Sequence, residues 1–374
     1  MNVVFVCGSL EPGKDGVGDY TRRLAGELCK QGHSAFIIAL NDKAVKSDFS
    51  GKQSVDGVEI DVLRLSATNS WQPRLASARV WLEEKKPDWL SLQYVPFSFH
   101  KKGLPWKLSS LLKELGKDKN WHFMFHELWV GMNDGTELKQ RLWGRTQQFL
   151  IRSMVSSIRP RIVHTHVQLY QQLLKNIGIP SQLLPLFSNV PKEEHPNIGT
   201  QRKKKDALDV SFLLFGGIHP AAPIEHLAQE AAQFQKQTSK KVSLTLIGRN
   251  GQESERWQSV WERAGLGLNV LGMQETAVIS KEMQKATVGI ATTPLLLIEK
   301  SGSVATMLEH GLPVLCLSKP WTVAGFVDYK IPSGVFEYRP GILESLLDKK
   351  PTVSTCNMLS DVSTTFIESL KATK

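Results

Sequence analysis

Short apolar runs alternate with segments of helical spacing along most of the chain, and this alternation restricts the fold more than any other feature. The run Val3–Val6 is followed by Tyr20–Gln31, which carries apolar residues at helical spacing until Gly32. The same pair of patterns recurs at Ser211–Phe215 and 224–237. Runs that are apolar on both faces indicate buried parallel strands, and helices of ten or more residues between them cover such a sheet on both sides. The sequence therefore predicts an α/β protein.

The alternation is interrupted at 189–209, where two prolines, a glycine and a block of basic residues stand together. This composition is typical of a linker. The 374 residues are enough for two domains of ordinary size. We therefore predict a doubly wound N-terminal domain at 1–188, a linker at 189–209, a doubly wound C-terminal domain at 210–350, and a terminal helix within 351–374 that packs back on the N-terminal domain.

Glycines stand at the predicted carboxyl ends of strands in both halves of the chain. They include the loop at 8–18, the pair at 216 and 217, and single glycines at 248, 272 and 302. Ligands of open parallel sheets bind at these strand ends. The pattern therefore predicts a ligand cleft between the two domains.

The stretch Thr293–Val314 reads TPLLLIEKSGSVATMLEHGLPV and follows an apolar run. We predict a buried strand, a polar loop at Glu299–Ser303, and a short helix that Ser303 caps and Gly311 ends. The N–H groups at the start of a helix have no partners in the helix, and the helix dipole is positive there, so this place suits an anion such as a diphosphate. The candidate groups are the backbone N–H groups of Ser301, Gly302 and Ser303.

The loop at 8–18 satisfies parts of two nucleotide-binding patterns. It matches G-x-x-x-x-G-K up to Lys14, but Asp15 stands where a hydroxyl should hold magnesium. Gly16 and Gly18 supply G-x-G, but the first strand ends well before them, whereas a dinucleotide loop follows its strand at once. Neither pattern is complete. Two alternatives remain: the glycines allow a ligand to approach the backbone closely, or they form a turn before a capped helix.

The formal net charge of +10 and the pI near 9.3 restrict the partners of the protein rather than its fold. We predict no nucleic-acid partner, because neither zinc-ligand spacing nor a ribonucleoprotein aromatic signature accompanies the charge. The alternatives are a solvated basic surface, an anionic small substrate and an anionic membrane surface. Four tryptophans of the N-terminal half are candidates to stack on sugar rings or to meet lipid headgroups, namely Trp71, Trp106, Trp129 and Trp143. Core packing is the commoner role of any one tryptophan.

No apolar run approaches the roughly 20 residues that a membrane-spanning helix needs. The N-terminus Met1–Cys7 is typical of a strand and not of a signal peptide. The four cysteines are scattered without metal-ligand spacing. We therefore predict a cytoplasmic protein with reduced thiols, either free or peripheral on the inner face of the membrane.

Several stretches resemble the family 4 glycosyltransferases, which have the GT-B fold. They are MNVVFVCG with GVGDYTRRLAGELCKQGH after it, FMFHEL at 123–128, RIVHTHVQLYQQLL, FLLFGGIHP, LTLIGRNG, NVLGM and TMLEHGLPV. The resemblance covers nearly the whole chain. It implies two doubly wound Rossmann-like domains that face a central cleft. It also implies transfer of a hexose from a nucleotide sugar to an acceptor hydroxyl, with retention at the anomeric carbon. The nucleotide sugar is then a co-substrate, and neither a bound metal nor a cofactor is expected.

The resemblance also implies roles for individual residues. His126 matches the family histidine that hydrogen-bonds the donor sugar. Glu299 lies one residue from the position of the glutamate that contacts the sugar, and Thr306 stands where a second glutamate binds the nucleotide ribose. Glu309 is a less favoured substitute for that second glutamate. The implied nucleotide-binding residues are Gly16, Gly18, Gly216, Gly217, His219, Arg249, Met273, Lys300, Ser301, Gly302, Ser303 and Thr306.

The sequence departs from the family at the diphosphate site, since the arginine and lysine that follow the first C-terminal strand are absent. Arg249 and Lys300 are the nearest basic candidates. Our first hypothesis is a retaining transferase with a UDP-hexose such as UDP-glucose as donor and a carbohydrate or lipid-linked acceptor in polysaccharide or glycolipid assembly. The alternatives are a GDP-mannose-dependent mannosyltransferase, a catalytically silent GT-B scaffold that binds a partner or a membrane, and an epimerase or phosphorylase of the same architecture.

Overall fold

The computed structural model describes residues 1–193, 209–220, 222–326, 328–349 and 358–373. The chain divides into two compact units. The N-unit comprises Met1–Pro185, Val323–Phe326 and Leu359–Lys374, and the C-unit comprises Leu186–Thr322 and Val327–Met358, as far as these ranges are described. The border falls after Pro185, whereas the sequence predicted it after residue 188. Most of the predicted linker, and residues 351–357, lie outside the described residues.

The N-unit is built on an eight-stranded sheet covered by helices. Its strands are β1 Asn2–Cys7, β2 Ser34–Asp42, β3 Phe49–Val55, β4 Val58–Ser66, β5 Trp89–Tyr94, β6 Asn120–Phe125, β7 Ile162–Thr165 and β8 Gln182–Leu183. Its first six helices are α1 Gly16–Lys30, α2 Trp71–Lys85, α3 Pro96–Phe99, α4 Leu108–Leu115, α5 Leu138–Ile158 and α6 Gln168–Asn176. The strand order is β3-β4-β2-β1-β5-β6-β7-β8.

All neighbours in this sheet are parallel except β3 and β4, which form an antiparallel hairpin at one edge. The sequence analysis did not predict β3. The hairpin turn is Asp56-Gly57, and both residues have positive φ. This conformation is typical of a two-residue turn of the I′ type, for which Asp-Gly between apolar residues is a strong sequence signal.

The C-unit is built on a six-stranded sheet in which every neighbouring pair is parallel. Its strands are β9 Asp209–Phe215, β10 Lys241–Ile247, β11 Gly267–Gly272, β12 Val288–Ala291, β13 Val314–Cys316 and β14 Val335–Glu337. Its helices are α7 Ile224–Thr238, α8 Ser254–Arg263, α9 Thr276–Lys285, α10 Gly302–Glu309 and α11 Ile342–Lys349. The strand order β11-β10-β9-β12-β13-β14 is that of a dinucleotide-binding Rossmann sheet.

Apolar side chains cover both faces of this second sheet. On one face, α7 and α8 contribute a cluster that contains the fully buried Trp257 and Trp261. On the other face, α9 and α10 contribute Met283 and Met307. Burial on both faces explains why the central strands β9 and β12 consist mostly of apolar residues. The predicted α/β architecture with parallel sheets is confirmed.

The last described helix, α12 (Leu359–Lys371), belongs to the N-unit. Its Phe366 is fully buried and stacks on Phe5 of β1, with 5.8 Å between ring centroids. Its Ser363 hydroxyl accepts a hydrogen bond of 2.7 Å from the side-chain amide of Gln31. The C-terminal helix therefore completes the hydrophobic core of the N-unit.

None of the helices in the described parts of the chain combines the length and the hydropathy that a membrane span requires.

Candidate active site

The N-terminus of α10 is the first element of the candidate site. The predicted polar loop before it is a 3-10 helix over Leu295–Lys300, and the N-cap is Ser301, not Ser303 as predicted. The Ser301 hydroxyl accepts the N–H of Val304 at 3.4 Å and thus uses one of the free donors. No acidic residue stands in the first turn of α10. The N–H groups of Gly302 and Ser303 have no protein acceptor among the described residues, so this helix end is open to an anion.

The ends of β9 and β10 lie directly against this helix start. Gly216 and Gly248 follow these strands, and both have a φ of +94°. A Cβ atom on Gly216 would lie 2.8 Å from the Ser303 hydroxyl oxygen, and one on Gly248 would lie 3.3 Å from the Gly216 Cα atom. Because a side chain at Gly216 would be strained and too close to Ser303, glycine is required there.

Two buried polar side chains hold the loop after β9. Thr292 follows β12, and its hydroxyl accepts the N–H of His219 at 2.8 Å. The Asn250 side-chain amide donates to the carbonyl of Gly216 at 2.8 Å. The sequence analysis missed Thr292 and Asn250, although polar residues directly after apolar strands are a usable signal. These bonds fix the loop while Gly217 and His219 stay exposed.

The remaining predicted residues of the C-unit lie at the same edge of the sheet. Arg249 is exposed and follows Gly248, and the exposed Met273 follows β11. Lys300 is half-buried and immediately precedes the N-cap of α10. Gly248 and Gly272 are joined by an N–H to carbonyl hydrogen bond of 2.7 Å. The structure thus gathers the predicted C-unit residues at the carboxyl ends of four strands.

Thr306 does not belong to the surface of the site. It is completely buried, and its hydroxyl donates to the carbonyl of Gly302 at 2.8 Å and accepts from the Ser188 hydroxyl at 3.0 Å. A residue with its hydroxyl bonded on both sides inside the protein cannot reach a ribose. Glu309, on the next turn of α10, is half-buried and accepts the backbone N–H of Ser188 at 3.3 Å.

Glu299 is half-buried in the last turn of the 3-10 helix, two residues before the N-cap of α10. Burial, and after it the negative charge of Glu299, raises the pKa of Tyr329 far above its usual value. Glu299 is therefore close enough to Tyr329 for their charges to interact. Its carboxylate supplies the negative charge nearest in sequence to the open helix start.

The start of α1 in the N-unit differs from that of α10. Gly16 and Gly18, predicted in a ligand-binding loop, lie in the first turn of α1. The Asp15 carboxylate caps the helix by accepting the N–H groups of Val17 and Gly18, each at 3.0 Å. Asp19 adds a second carboxylate in the first turn. Because these carboxylates already occupy the positive end of the dipole, α1 does not offer the anion site that α10 offers.

A pair of buried imidazoles lies at the carboxyl edge of the N-unit sheet. His126 follows β6 and His166 follows β7, and 3.1 Å separates Nδ1 of His126 from Nε2 of His166. The Nε2 atom of His126 lies 2.9 Å from the Gln93 amide oxygen, and Nδ1 of His166 donates to the Leu184 carbonyl at 2.7 Å. The ring of Tyr20 packs edge-on against both imidazoles. Both ring nitrogens of His126 are thus already engaged inside the protein.

Beneath this pair, a second pair continues the network. Nε2 of His122 lies 2.9 Å from Nδ1 of His164, and Nδ1 of His122 lies 2.7 Å from the Ser91 hydroxyl. The side-chain amide of Gln93 contacts the same hydroxyl at 2.8 Å. Sequence reasoning found His126 but missed His166 and Gln93. The available sequence signal was His164-Thr165-His166 at the end of β7, because residues two apart in a strand point to the same face.

The orientation of the Gln93 side-chain amide determines the total charge of the two rings of His126 and His166. The Leu184 carbonyl accepts one N–H from His166, and the Gln93 oxygen, when it faces His126, accepts one N–H from that ring. The hydrogen bond between the two rings needs a third N–H. Two neutral imidazoles have only two N–H hydrogens, so this arrangement carries one positive charge. Reversing the Gln93 amide lets it donate to His126, and both rings are then neutral. Burial lowers the pKa of His166 to about 4, which favours the neutral arrangement at neutral pH.

These buried histidines predict a loss of stability on acidification. Burial lowers the pKa of both His164 and His166 from 6.5 to about 4. Between these values the unfolded rings bind protons and the folded rings do not, so the free energy of unfolding falls as the pH falls through this window, by about 3 kcal/mol for each ring. Urea titrations at several pH values measure it. We expect His164→Gln to lose less stability than the wild type between neutral pH and the lower pKa.

A matched control for this experiment is His226→Gln, because His226 is exposed on α7. This variant should keep the pH dependence of the wild type. An equally steep pH dependence in His164→Gln and in the wild type would contradict the assignment of acid sensitivity to the buried network.

Comparison with known proteins gave structural matches only: no protein-family model matches the chain, and no curated protein matches it. The Anabaena protein HepE in complex with UDP-glucose is similar over 100% of both chains, with a TM-score of 0.63 and 15% identity. The catalytic domain of starch synthase IV from Arabidopsis thaliana, bound to ADP and acarbose, is similar over 100% of this chain and 99% of its own, with a TM-score of 0.56 and 13% identity. The lipopolysaccharide outer core galactosyltransferase WaaB is similar over 98% of this chain and 95% of its own, with a TM-score of 0.52 and 15% identity.

Each of these three matches spans nearly the full length of this chain and of the other protein. Together with the two Rossmann-like sheets, they show that the protein has the GT-B fold. The predicted fold class is confirmed.

Proposed function

We propose that the protein is a retaining, metal-independent glycosyltransferase that moves a hexose from a UDP-sugar, with UDP-glucose favoured, to an acceptor hydroxyl. The observation that carries the proposal is the open N-terminus of α10 against the glycine ends of β9 and β10. A diphosphate leaving group gains negative charge in the transition state, so fixed N–H donors stabilise the transition state more than the ground state. Similarity to HepE, which binds UDP-glucose, supports the choice of donor.

In this proposal the backbone groups of Gly302 and Ser303 bind the diphosphate, and Lys300 and Arg249 supply positive charge. Glu299 accepts hydrogen bonds from hydroxyls of the transferred sugar. Thr306 has no role, because its hydroxyl is used inside the protein. Glu309 takes the ribose, since it lies one turn further along α10 and is not buried.

His126 is proposed to hydrogen-bond the transferred sugar, as the family resemblance implies. To do so it must release Gln93 or His166, because both of its ring nitrogens are engaged. Reversal of the Gln93 amide would keep Nε2 engaged, so the release requires the Gln93 side chain to swing away from His126, which needs no movement of the backbone. We therefore propose Gln93 as a positioning residue for His126.

The proposed acceptor is a carbohydrate or a lipid-linked glycan, in polysaccharide or glycolipid assembly on the cytoplasmic face of a membrane. The net charge of +10 supports a membrane location, since the cytoplasmic leaflet is anionic. The similarity to a lipopolysaccharide galactosyltransferase fits a lipid-linked acceptor.

Calorimetric titration with UDP, GDP and ADP, followed by their sugars, tests the donor. We expect UDP to bind with micromolar affinity, about 8 kcal/mol of binding free energy, and more tightly than GDP or ADP. Tighter binding of GDP would favour the mannosyltransferase alternative. If none of the three nucleotides gives measurable heat, the proposed donor site is excluded.

One observation favours a second candidate function, a catalytically silent GT-B scaffold. The residue at the position of the family's second glutamate is the buried Thr306. A scaffold would bind UDP without turnover, so release of UDP from UDP-glucose, with and without candidate acceptors, separates the two functions.

A further inference from the structure

Helix α5 exposes a stripe of large apolar side chains. Leu138, Leu142 and Phe149 are exposed to 72%, 53% and 63%. Because they are four and seven residues apart, they share one face of the helix. The opposite face is buried in the N-unit through Leu150, Ile151 and Met154. The helix thus has one apolar face in the core and a second at the surface.

Only positive charge accompanies this outer stripe along the helix. Arg145 lies on the same face between the apolar residues, and Arg141 and Arg152 flank it, all three exposed. The sequence of α5 contains no aspartate or glutamate, and the nearest acidic residues, Asp134 and Glu137, precede it. Among the described residues, none of the three arginines forms an ion pair. We call this surface the α5 face: Leu138, Arg141, Leu142, Arg145, Phe149 and Arg152.

A loop that is hydrogen-bonded to α5 also exposes aromatic and basic side chains. The Trp143 indole N–H donates to the carbonyl of Lys102 at 2.9 Å, and the Gln147 amide donates to the carbonyl of Gly103 at 3.0 Å. These bonds tie the loop before α4 to α5. The loop exposes Trp106 to 57%, and it also exposes Lys101, Lys102 and Lys107. An exposed tryptophan beside cations is typical of a protein surface that contacts lipid headgroups.

We propose that the α5 face docks on an anionic phospholipid bilayer, with Leu138, Leu142 and Phe149 inserted below the headgroups. An apolar stripe between arginines and lysines is the pattern of helices that lie in the membrane interface. Nucleic acid does not fit, because three large apolar side chains stand where phosphate contacts would be. This inference rests on the membrane location in the proposed function and names the surface that would contact the membrane. Its test needs no sugar donor, so membrane docking and glycosyl transfer can be disproved independently.

Co-sedimentation of the full chain with vesicles tests the inference. We expect binding to vesicles of phosphatidylcholine with about 30% phosphatidylglycerol, little binding to phosphatidylcholine alone, and weakening of binding by salt. The double variant Leu142→Ser with Phe149→Ser should lower the partition coefficient about tenfold or more. Arg141→Ser with Arg145→Ser should lower it by a similar factor.

Matched controls change equally exposed residues elsewhere. Val80→Ser removes an apolar side chain that is 69% exposed on α2, and Lys236→Ser with Arg263→Ser removes two exposed cations of the C-unit. These variants should bind vesicles like the wild type, and every variant should retain the wild-type circular dichroism spectrum.

Two results would overturn the inference. In one, vesicle binding is absent or is unchanged in both α5 variants. In the other, light scattering shows a wild-type dimer that becomes a monomer in Leu142→Ser with Phe149→Ser, so that a second copy of the chain covers the face.

Discussion

We expect Gly302→Asp to lower the affinity for UDP about 100-fold or more, while Gly302→Asn lowers it far less. The two side chains have the same shape, so their difference is the charge. A carboxylate about 5 Å from a diphosphate charge costs about 3 kcal/mol for each pair of unit charges at an effective dielectric constant of about 20. A Cβ atom on Gly302 meets nothing closer than the Asn189 amide at 3.7 Å, so either side chain fits.

The fold should respond to Gly302→Asp in the opposite direction. A carboxylate in the first turn of a helix stabilises it by about 0.3–1 kcal/mol, so the Tm should stay constant or rise while UDP binding is lost. Calorimetric titration and thermal unfolding of the same samples measure both quantities. The control pair is Thr276→Asp and Thr276→Asn at the exposed first residue of α9, which should leave UDP binding unchanged. Equal UDP affinity in the two Gly302 variants would show that the diphosphate binds elsewhere.

The second large effect is expected for Glu299→Gln, which should lower kcat/KM for transfer from UDP-glucose about 100-fold or more. Glutamine keeps the size of the side chain but removes the charge. Hydrogen bonds to a charged group contribute about 1.5–3 kcal/mol each, so the loss of charge from two bonds to sugar hydroxyls accounts for this factor. UDP itself lacks the sugar, so its affinity should change less than about threefold.

Comparing turnover with UDP binding distinguishes a role in the reaction from a structural one. If UDP binding falls together with turnover, Glu299 supports the loop and not the sugar. Transfer at the wild-type rate in Glu299→Gln would exclude it from the site. Glu275→Gln is the matched control, because Glu275 is an exposed glutamate at the N-cap of α9 in the same unit.

Regular patterns in the sequence predicted the architecture well. The run Val288–Ala291 is apolar because β12 is covered on both faces. Helix α7 spans Ile224–Thr238, close to the 224–237 that its apolar spacing predicts. The hairpin of β3 and β4 was missed because β3 is exposed and polar at the sheet edge, so it lacks the apolar run that marked the other strands. Only its Asp56-Gly57 turn carried a sequence signal.

Predictions that depended on the partner of one side chain were less accurate. Ser303 looked like a cap, but the 3-10 helix before α10 places Ser301 at that position. Gly16 and Gly18 looked like a ligand loop, but the Asp15 carboxylate draws them into a helix. Local sequence permits both alternatives in each case. The choice depends on which hydrogen bond the folded backbone can complete.

The sequence by itself determined the α/β architecture and the position of glycines at strand ends, because burial and backbone sterics act residue by residue along the chain. Only the tertiary structure decided which helix starts at these strand ends keep backbone N–H groups without a protein acceptor among the described residues. It placed Thr306 in contact with Ser188, 118 positions away, and so removed the threonine from the surface. It also joined His126 to Gln93 and His166 across three strands. Such pairings depend on strand order, and no local pattern in the sequence encodes them.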